Sequence, residues 1–259
     1  MITLRGHEEL KRMDRACAIV HSAIDAVAEA IAPGVTTDEL DRIAEKVIRG
    51  AGARPAFLGY RGYPKTLCVS VNDEVVHGIP GKRKLAAGDI VGIDCGAVVE
   101  GYFGDAARSF PVGKVRPEAA KLIQDTREAL ARGIAAALPG RRISDIGAAV
   151  EEFAAPHGYG IVREFVGHGV GTALHEEPQV PNYGPGGRGP VLKEGMVIAI
   201  EPMLNLGTSR VSVQRDGWTV KTQDGKWSAH FEDTIAIGAD GPVVLGVGDF
   251  ERVRTAVPA

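Results

Sequence analysis

The most constraining feature of the sequence is an internal repeat. Residues 85–94 and 192–201, which lie 107 positions apart, both have leucine first, glycine fourth, branched apolar residues at the sixth, seventh and ninth positions, and an acid last. Upstream, the Pro-Gly pairs at 33–34 and 139–140 lie 106 positions apart, and each precedes a helical pattern with matching apolar positions. Two matches at nearly the same offset predict a duplicated half-domain.

The repeat predicts a single domain over residues 1–259, built from two halves at roughly 7–113 and 116–238. One domain of this length can bury a sizeable core. Each half would supply two helices followed by strands, and the halves would pack about a pseudo-twofold axis. Asp94 and Glu201, the acids that end the repeated segments, would then face one another near that axis.

Hydrophobic periodicity predicts helices and strands in an order that follows the repeat. The predicted helices cover residues 7–31, 36–50, 117–138 and 144–155, the last capped by Ser144. The predicted strands cover residues 66–72, 89–94, 161–166, 196–201, 211–213, 217–222 and 229–237, and a further strand carries Asp105.

Charge and cysteine content narrow the function classes. The net charge is −3, and charges of both signs are mixed along the chain with no long basic run. This argues against nucleic acid or an anionic membrane as the main partner. Cys17, Cys68 and Cys95 fit no zinc-ribbon spacing and indicate a reducing cytoplasm. The apolar runs are too short to span a membrane.

Two histidines stand in a glycine-rich segment, GHGVGTALHEEP at residues 167–178. The glycines after His168 exclude a helix interior, so we predict a loop or strand end that brings imidazole close to a ligand. Neutral imidazole is the commonest metal ligand in proteins. The alternative is a turn in which His168 and His175 are incidental.

Four acids lie at or beside predicted strand ends: Asp94, Asp105, Glu201 and Glu232. If they converged without counter-charge they would repel one another, and their pKa values would rise. Two divalent cations would neutralise the charge of the four carboxylates, and two-metal hydrolases hold their ions roughly 3.5–4 Å apart. Each acid alone fits a solvated turn residue better. The four together, with the histidine segment, favour a dinuclear metal site.

Seven segments together carry a family resemblance. They are VNDEVVHGIP (71–80), DIVGIDCG (89–96), GDAARSF (104–110), GHGVGTALHEEPQV (167–180), EPM (201–203), DGWTVKT (216–222) and FEDT (231–234). Over nearly its full length the chain resembles the type I methionine aminopeptidases of the small bacterial form. The resemblance implies an α+β fold of the pita-bread kind, in which a pseudo-symmetric, curved antiparallel sheet is covered by helices.

The resemblance also implies a role for each candidate ligand. Asp94 would bind one metal, Asp105 and Glu232 would bridge both, and His168 and Glu201 would bind the other. Glu201 would also be the general base, His175 would stabilise the tetrahedral intermediate, and His77 would hydrogen-bond the peptide. The implied cofactors are two divalent ions, and sites of this mixed donor type accept Mn, Fe, Co, Ni or Zn.

A methionine pocket is implied in the same way. Its lining would be Phe57, Tyr60, Tyr63, Cys68, Leu174 and Trp218, and His77 and His175 would also bind the substrate. Methionine is unbranched and polarisable, so it packs well against rings. Without the resemblance, the first three aromatics would be ordinary core residues. Arg61, Phe57, Leu174 and Asp233 depart from the commonest family pattern, which bears on pocket width rather than on the reaction.

The implied activity is metal-dependent removal of the initiator methionine from nascent polypeptides with a small second residue. Two alternatives stay open. One is a proline-specific dipeptidase or aminopeptidase of the same fold, whose relatives carry a large N-terminal domain not recognised in this sequence. The other is a non-catalytic pita-bread binding module, which would usually lose ligands. We expect a cytoplasmic monomer, with the ribosome as a candidate partner.

Overall fold

The structure is a computed structural model that describes residues 1–248. Its α-helices are α1 (His7–Ala30), α2 (Thr37–Gly50), α3 (Pro117–Ala136) and α4 (Ile143–Ala154), and short 3-10 helices cover Tyr60–Gly62 and Ala155–His157. Its strands are β1 (Arg54–Pro55), β2 (Leu67–Val71), β3 (Glu74–Val76), β4 (Ile90–Val99), β5 (Tyr102–Pro111), β6 (Gly160–Ile161), β7 (Gly167–Gly169), β8 (Glu176–Val180), β9 (Val197–Ile200), β10 (Met203–Asn205), β11 (Val211–Val213), β12 (Val220–Thr222), β13 (Ser228–His230), β14 (Glu232–Gly238) and β15 (Gly241–Val244).

The central sheet has the strand order β1-β4-β5-β14-β9-β7-β8, with β2 also paired to β4 and β15 to β14. The order is symmetrical about the β5–β14 pair, because β4 and β2 follow on one side where β9 and β7 follow on the other. Its pairings are antiparallel. This is the α+β, pseudo-twofold arrangement that the sequence predicts. The limits of the halves stay predictions, and the predicted domain, 1–259, extends beyond the described residues.

Each half of the sheet has its own apolar core under two helices. Side chains of α1 and α2, such as Ile24 and Leu40, pack with Ile93 of β4. Side chains of α3 and α4 pack in the same way with β9 and β14, for example Ile146 with Ile198. Burying a side chain of this size contributes about 1.5–3 kcal/mol, so the two cores hold the helices against the sheet.

Gly104 on β5 allows α1 to lie unusually close to the sheet. A Cβ atom at this position would stand 2.6 Å from the backbone nitrogen of Cys17 and 2.8 Å from the carbonyl carbon of Ala16. Any side chain there would push the helix away. The close contact also leaves Cys17 with 1% exposure, so the thiol packs as a small apolar group.

The prediction that Ser144 caps α4 is wrong. The helix begins at Ile143, and its N-cap is Arg142. The backbone N–H of Arg142 donates a hydrogen bond to the Asp145 carboxylate at 2.8 Å. An acid at the third helical position thus accepts from the backbone of the N-cap residue, as in a capping box, and the helix begins one residue earlier than predicted.

Three strand predictions need correction because pairing partners set strand length. The strand predicted over 89–94 continues to Val99, since β5 pairs with it along its whole length, so Asp94 lies inside a strand. The strand predicted over 161–166 shrinks to β6, which pairs only with two residues of β10. The run 229–237 divides at Phe231, because β13 pairs with β10 whereas β14 pairs with β5 and β9.

Within residues 1–248, no helix combines the length and the apolar character needed to cross a membrane.

The strand predicted over 217–222 is also shorter in the structure. The Asp216 carboxylate accepts hydrogen bonds from the N–H groups of Trp218 and Thr219, which makes a turn before β12 begins at Val220.

Candidate metal centre and substrate cavity

Three acids share one face of the central sheet because of their register around Ala107. Asp94 on β4 pairs with Ala107 on β5, and Glu232 on β14 pairs with Ala107 from the other side. Directly opposite residues of antiparallel strands point to the same face, as do residues two apart on one strand. Asp105, two residues before Ala107, therefore joins them, and the small alanine leaves room for the three carboxylates.

The other two candidate ligands come from the neighbouring strands. Asp233 pairs with Ile200 at the end of β9, so the next position of this antiparallel ladder places Glu201 beside Glu232. His168 is the central residue of β7, which pairs with β9. The glycines around His168 are therefore part of a short strand, one of the two structures that the sequence predicts for this segment.

The ligand atoms lie close together. Nε2 of His168 is 4.0 Å from Oδ2 of Asp105 and 3.7 Å from Oε1 of Glu201. One ligand atom each from Asp105, His168 and Glu232 lie within 4.8 Å of one another. A second group of three, Glu201, His230 and Glu232, meets the same limit. Sequence reasoning predicted the members of the first group but not His230.

Several buried atoms of this cluster have no hydrogen-bond partner among the residues that the structure describes. They include Oδ1 of Asp94, Oδ1 of Asp105 and Oε1 of Glu232. Most buried polar atoms in proteins are paired, so each exception calls for a reason such as an ion. Carboxylate and imidazole donors are those that first-row divalent metals take in mixed sites. The residues present therefore fit a divalent metal centre.

Burial raises the pKa of all four acids. Desolvation brings the pKa of Asp94 to about 7. It also raises the pKa of Asp105, Glu201 and Glu232 well above the usual range, and neighbouring carboxylates add to each of these shifts. This is the behaviour that the sequence predicts for converging acids without counter-charge. A divalent cation would oppose it, because an adjacent positive charge favours the ionised form.

One cavity of about 270 Å³ brings all the predicted site residues together. Its lining includes the predicted metal ligands Asp94, Asp105, His168, Glu201 and Glu232, the histidines His77 and His175, and the predicted pocket residues Phe57, Tyr60, Tyr63, Cys68, Leu174 and Trp218. The acids belong to the cluster of ligand atoms around His168, whereas Phe57, Tyr60, Tyr63, Cys68, Leu174 and Trp218 pack together in an apolar cluster. An apolar side chain held among the rings would thus place its backbone beside the acids. The individual roles of these residues stay predictions.

Among the described residues, His175 has one side-chain hydrogen-bond partner in the cavity. The Tyr60 hydroxyl lies 2.8 Å from Nδ1 of His175. Burial lowers the pKa of His175, and the Arg61 guanidinium lowers it further, which favours the neutral ring. If the hydroxyl donates to Nδ1, the neutral ring carries its proton on Nε2. His175 then offers one N–H donor to a group in the cavity, next to His168, whose ring centroid is 4.2 Å away.

His77 is fixed by an uncommon backbone conformation. Its φ of 60° lies in the left-handed region, which histidine adopts more readily than most residues. The next residue, Gly78, has no room for a side chain, because a Cβ atom would collide with the carbonyl oxygen of Val69. The ring packs edge-on against Phe165, with centroids 5.4 Å apart. Desolvation lowers the pKa of His77 to about 4, so the ring is neutral near pH 7.

Two residues of the site escaped sequence reasoning. Phe165 lines the cavity from an irregular segment that we predicted as a strand, and no sequence signal marked it. His230 precedes Glu232 by two positions in the run 229–237, which the sequence predicts as one strand. Residues two apart in a strand share a face, so this spacing could have revealed it.

Arg5, near the N-terminus, stabilises the segment between His168 and β8 through an ion pair. Arg5 is almost fully buried, and its guanidinium donates to both carboxylate oxygens of Glu176, at 2.9 and 2.7 Å. Glu176 in turn accepts hydrogen bonds from the backbone N–H groups of Thr172 and Ala173. Because Glu176 follows His175 directly, this bidentate ion pair holds the segment that presents His175 to the cavity.

Replacing Arg5 with methionine is expected to destabilise the protein by roughly 2–3 kcal/mol. The substitution keeps the apolar stem but leaves the half-buried Glu176 carboxylate without its cation, and breaking such a pair is costly. Lys11→Met removes an exposed partner of Glu8 and should change stability by less than about 1 kcal/mol. Urea unfolding of both variants tests this. An equal loss of unfolding free energy in the two variants would show that the Arg5–Glu176 ion pair does not stabilise this segment.

The fold and the buried acid–imidazole cluster define a metal-dependent hydrolase of the pita-bread class. The sequence pattern of metallopeptidase family M24 matches residues 11–239. The chain belongs to this family, and the family implies divalent metal ions. The α+β pita-bread prediction is thereby confirmed.

Individual relatives agree with this assignment. A methionine aminopeptidase of Clostridium acetobutylicum is 49% identical over 246 residues, which cover 95% of this chain and 98% of the relative. The crystal structure of methionine aminopeptidase from Rickettsia prowazekii matches with a TM-score of 0.94 at 38% identity and covers 95% of this chain and 100% of that one. The prolidase from Pyrococcus furiosus is more distant, at 27% identity and a TM-score of 0.77, and 65% of its chain is covered.

Proposed function

We propose that this protein removes N-terminal methionine from nascent polypeptides whose second residue is small. One observation carries the proposal: a single cavity is lined both by the five ligand-type side chains and by a packed cluster of aromatic and apolar side chains. A methionine side chain suits such a wall, and the scissile bond would then lie at the acids. The high identity to methionine aminopeptidases over nearly the whole chain supports the same substrate.

The proposed centre holds two divalent ions. Asp94 would bind one, His168 and Glu201 would bind the other, and Asp105 and Glu232 would bridge them; Mn, Fe, Co, Ni and Zn all suit these donors. When bound, the ions lower the pKa of a water molecule and polarise the substrate carbonyl. The buried carboxylate oxygens of Asp94, Asp105 and Glu232 that lack a hydrogen-bond partner among the described residues support these three residues as metal ligands.

The side chains would divide the proton transfers between them. Glu201 takes a proton from the attacking water and returns it to the nitrogen of the leaving peptide, so that methionine keeps the water oxygen in its carboxyl group. His175 donates its Nε2–H to the developing oxyanion, with the ring held in this state by the Tyr60 hydroxyl. His77, neutral at pH 7, hydrogen-bonds the peptide. Since nascent chains are the substrate, the proposal includes a cytoplasmic location.

Methionine release from Met-Ala-Ser and Met-Ile-Ser tests the proposal. Protein stripped with a chelator should release methionine from neither peptide, and adding Mn, Fe or Co should restore release from Met-Ala-Ser alone, because a branched second residue would crowd the chain as it passes the ligands. Cleavage of an X-Pro peptide in preference to Met-Ala-Ser would favour the proline-specific alternative. A folded protein that is inactive with every metal would favour a binding module. Monomeric state and ribosome contact stay separate predictions.

A further inference from the structure

His230 is a buried imidazole with an unused nitrogen at the metal centre. The residue is 4% exposed, and its Nε2 has no hydrogen-bond partner among the described residues. The nearest charged atoms are Oε2 of Glu201, at 3.7 Å, and Oε2 of Glu232, at 3.9 Å. Both distances exceed the range of an N–H···O hydrogen bond. The imidazole therefore points at two carboxylates without bonding to either.

His168 and His230 approach different oxygens of the Glu201 carboxylate. His168 approaches Oε1 of Glu201 at 3.7 Å, and His230 approaches Oε2 at the same distance. His168 forms its three-residue group with Asp105 and Glu232, whereas His230 forms one with Glu201 and Glu232. Glu232 belongs to both groups, so the second group continues the first rather than standing apart from it.

The separations around His230 suit a shared cation. Nitrogen and oxygen ligands bind zinc at about 2.0–2.2 Å, so two donors of one ion lie at most about 4.4 Å apart. The distances from Nε2 of His230 to Glu201 and to Glu232 both fall below that limit. Two carboxylates and one imidazole are also a donor set that first-row divalent metals accept.

The backbone holds His230 in this place. Its N–H donates to the Ser109 hydroxyl at 3.0 Å, and that hydroxyl donates to the carbonyl oxygen of His230 at 3.0 Å. On its other side His230 pairs with Met203 of β10. The ring is thus carried by a strand that is fixed to β5 and β10, as a preorganised ligand requires.

We propose that His230, with Glu201 and Glu232, forms a further subsite for a first-row divalent cation, on the side of Glu201 away from His168. The metal centre then uses two imidazoles rather than one. The proposal rests on the metal centre of the proposed function, but it adds a ligand that neither the sequence nor the family resemblance supplied.

X-ray absorption spectroscopy on zinc-loaded protein tests the subsite without relying on activity. Imidazole ligands give a distinctive outer-shell scattering pattern. At saturating zinc, wild-type protein should show scattering from both histidines, and His230→Gln should lose the contribution of one. Calorimetric titration of the stripped proteins should show zinc binding weakened at least about 10-fold or one class of site lost. His157→Gln, which changes an exposed histidine bonded to the Phe153 carbonyl, is the matched control and should behave as wild type.

The outcomes separate the two proposals. Wild-type protein that binds no zinc would overturn the metal centre itself and with it the proposed function. Zinc binding with an imidazole contribution that is unchanged in His230→Gln would overturn the subsite alone. If His230→Gln fails to fold, His230→Asn gives the same comparison with a smaller amide.

Discussion

Glu201→Gln is expected to reduce kcat for methionine release by at least about 10³-fold while leaving the protein folded. The amide has the same shape as the carboxylate, but it cannot accept the proton that the attacking water must lose. General acid–base catalysis typically contributes 10²–10⁴-fold, and the neutral amide is also a weaker metal donor. Glu201 is buried beside His168 and Glu232, so no solvent base can replace it.

The measurement is steady-state release of methionine from Met-Ala-Ser at saturating Mn or Co, with circular dichroism to confirm the fold. Glu152→Gln is the matched control, because Glu152 is an exposed residue of α4 outside the metal centre; its activity should equal that of wild type. If the kcat of Glu201→Gln were within tenfold of the wild-type value, Glu201 would not be the general base. His77 and His175 would then be the next candidates for this role.

Asp94 is expected to destabilise metal-free protein increasingly as the pH rises from 5 to 7.5, with Tm, measured relative to that of Asp94→Asn, falling by at least about 5 °C over this range. Burial raises the pKa of Asp94 to about 7, against about 3.9 in the unfolded chain. Between these values the Asp94 carboxyl binds more protons in the folded state than in the unfolded state, so its contribution to stability is greatest below the unfolded pKa and is lost as the pH approaches 7. Comparison with Asp94→Asn isolates this contribution, because the lowered pKa values of His77, His168 and His230 act in the opposite direction below about pH 6.5. One pKa unit corresponds to about 1.4 kcal/mol, and 1 kcal/mol shifts Tm by roughly 2–4 °C at this size.

Calorimetry of stripped protein at several pH values measures this fall. Adding Mn or Co should raise Tm most at pH 7.5 and should release protons at pH 6, because the ligands must ionise to bind. Asp94→Asn should raise the Tm of the metal-free protein at pH 7.5, whereas Asp240→Asn, at an exposed position, should not. A Tm difference between wild type and Asp94→Asn that is independent of pH, or a metal-free Asp94→Asn protein that is less stable than wild type at pH 7.5, would show that the pKa of Asp94 is not raised in the folded protein.

Local patterns in the sequence predicted the four helices, although not the cap of α4, and singled out the acids and histidines of the site apart from His230. The bounds of α1 and α2 follow from apolar periodicity and from the Thr36–Glu39 capping box, since both signals act within a few residues. The repeat at 107 positions predicted a symmetrical sheet. The resemblance supplied the roles of the ligands, which spacing alone left open between a metal site and turns.

Long-range pairing decided what the sequence could not. Asp94 lies inside a strand because β5 pairs with all of β4, and the run around Phe231 divides because its two parts belong to different sheets. Strand length depends on partners far away in the chain, so no local signal contains it.

The convergence of the site has the same origin. Register around Ala107 sets three acids on one face, the β9–β14 ladder adds Glu201, and the same neighbourhood places His230 against the carboxylates. By itself the sequence determined which side chains are available for metal chemistry. Only the tertiary structure decided which of them share one buried space, because that depends on strand register and on the desolvation that raises the pKa of every acid in it.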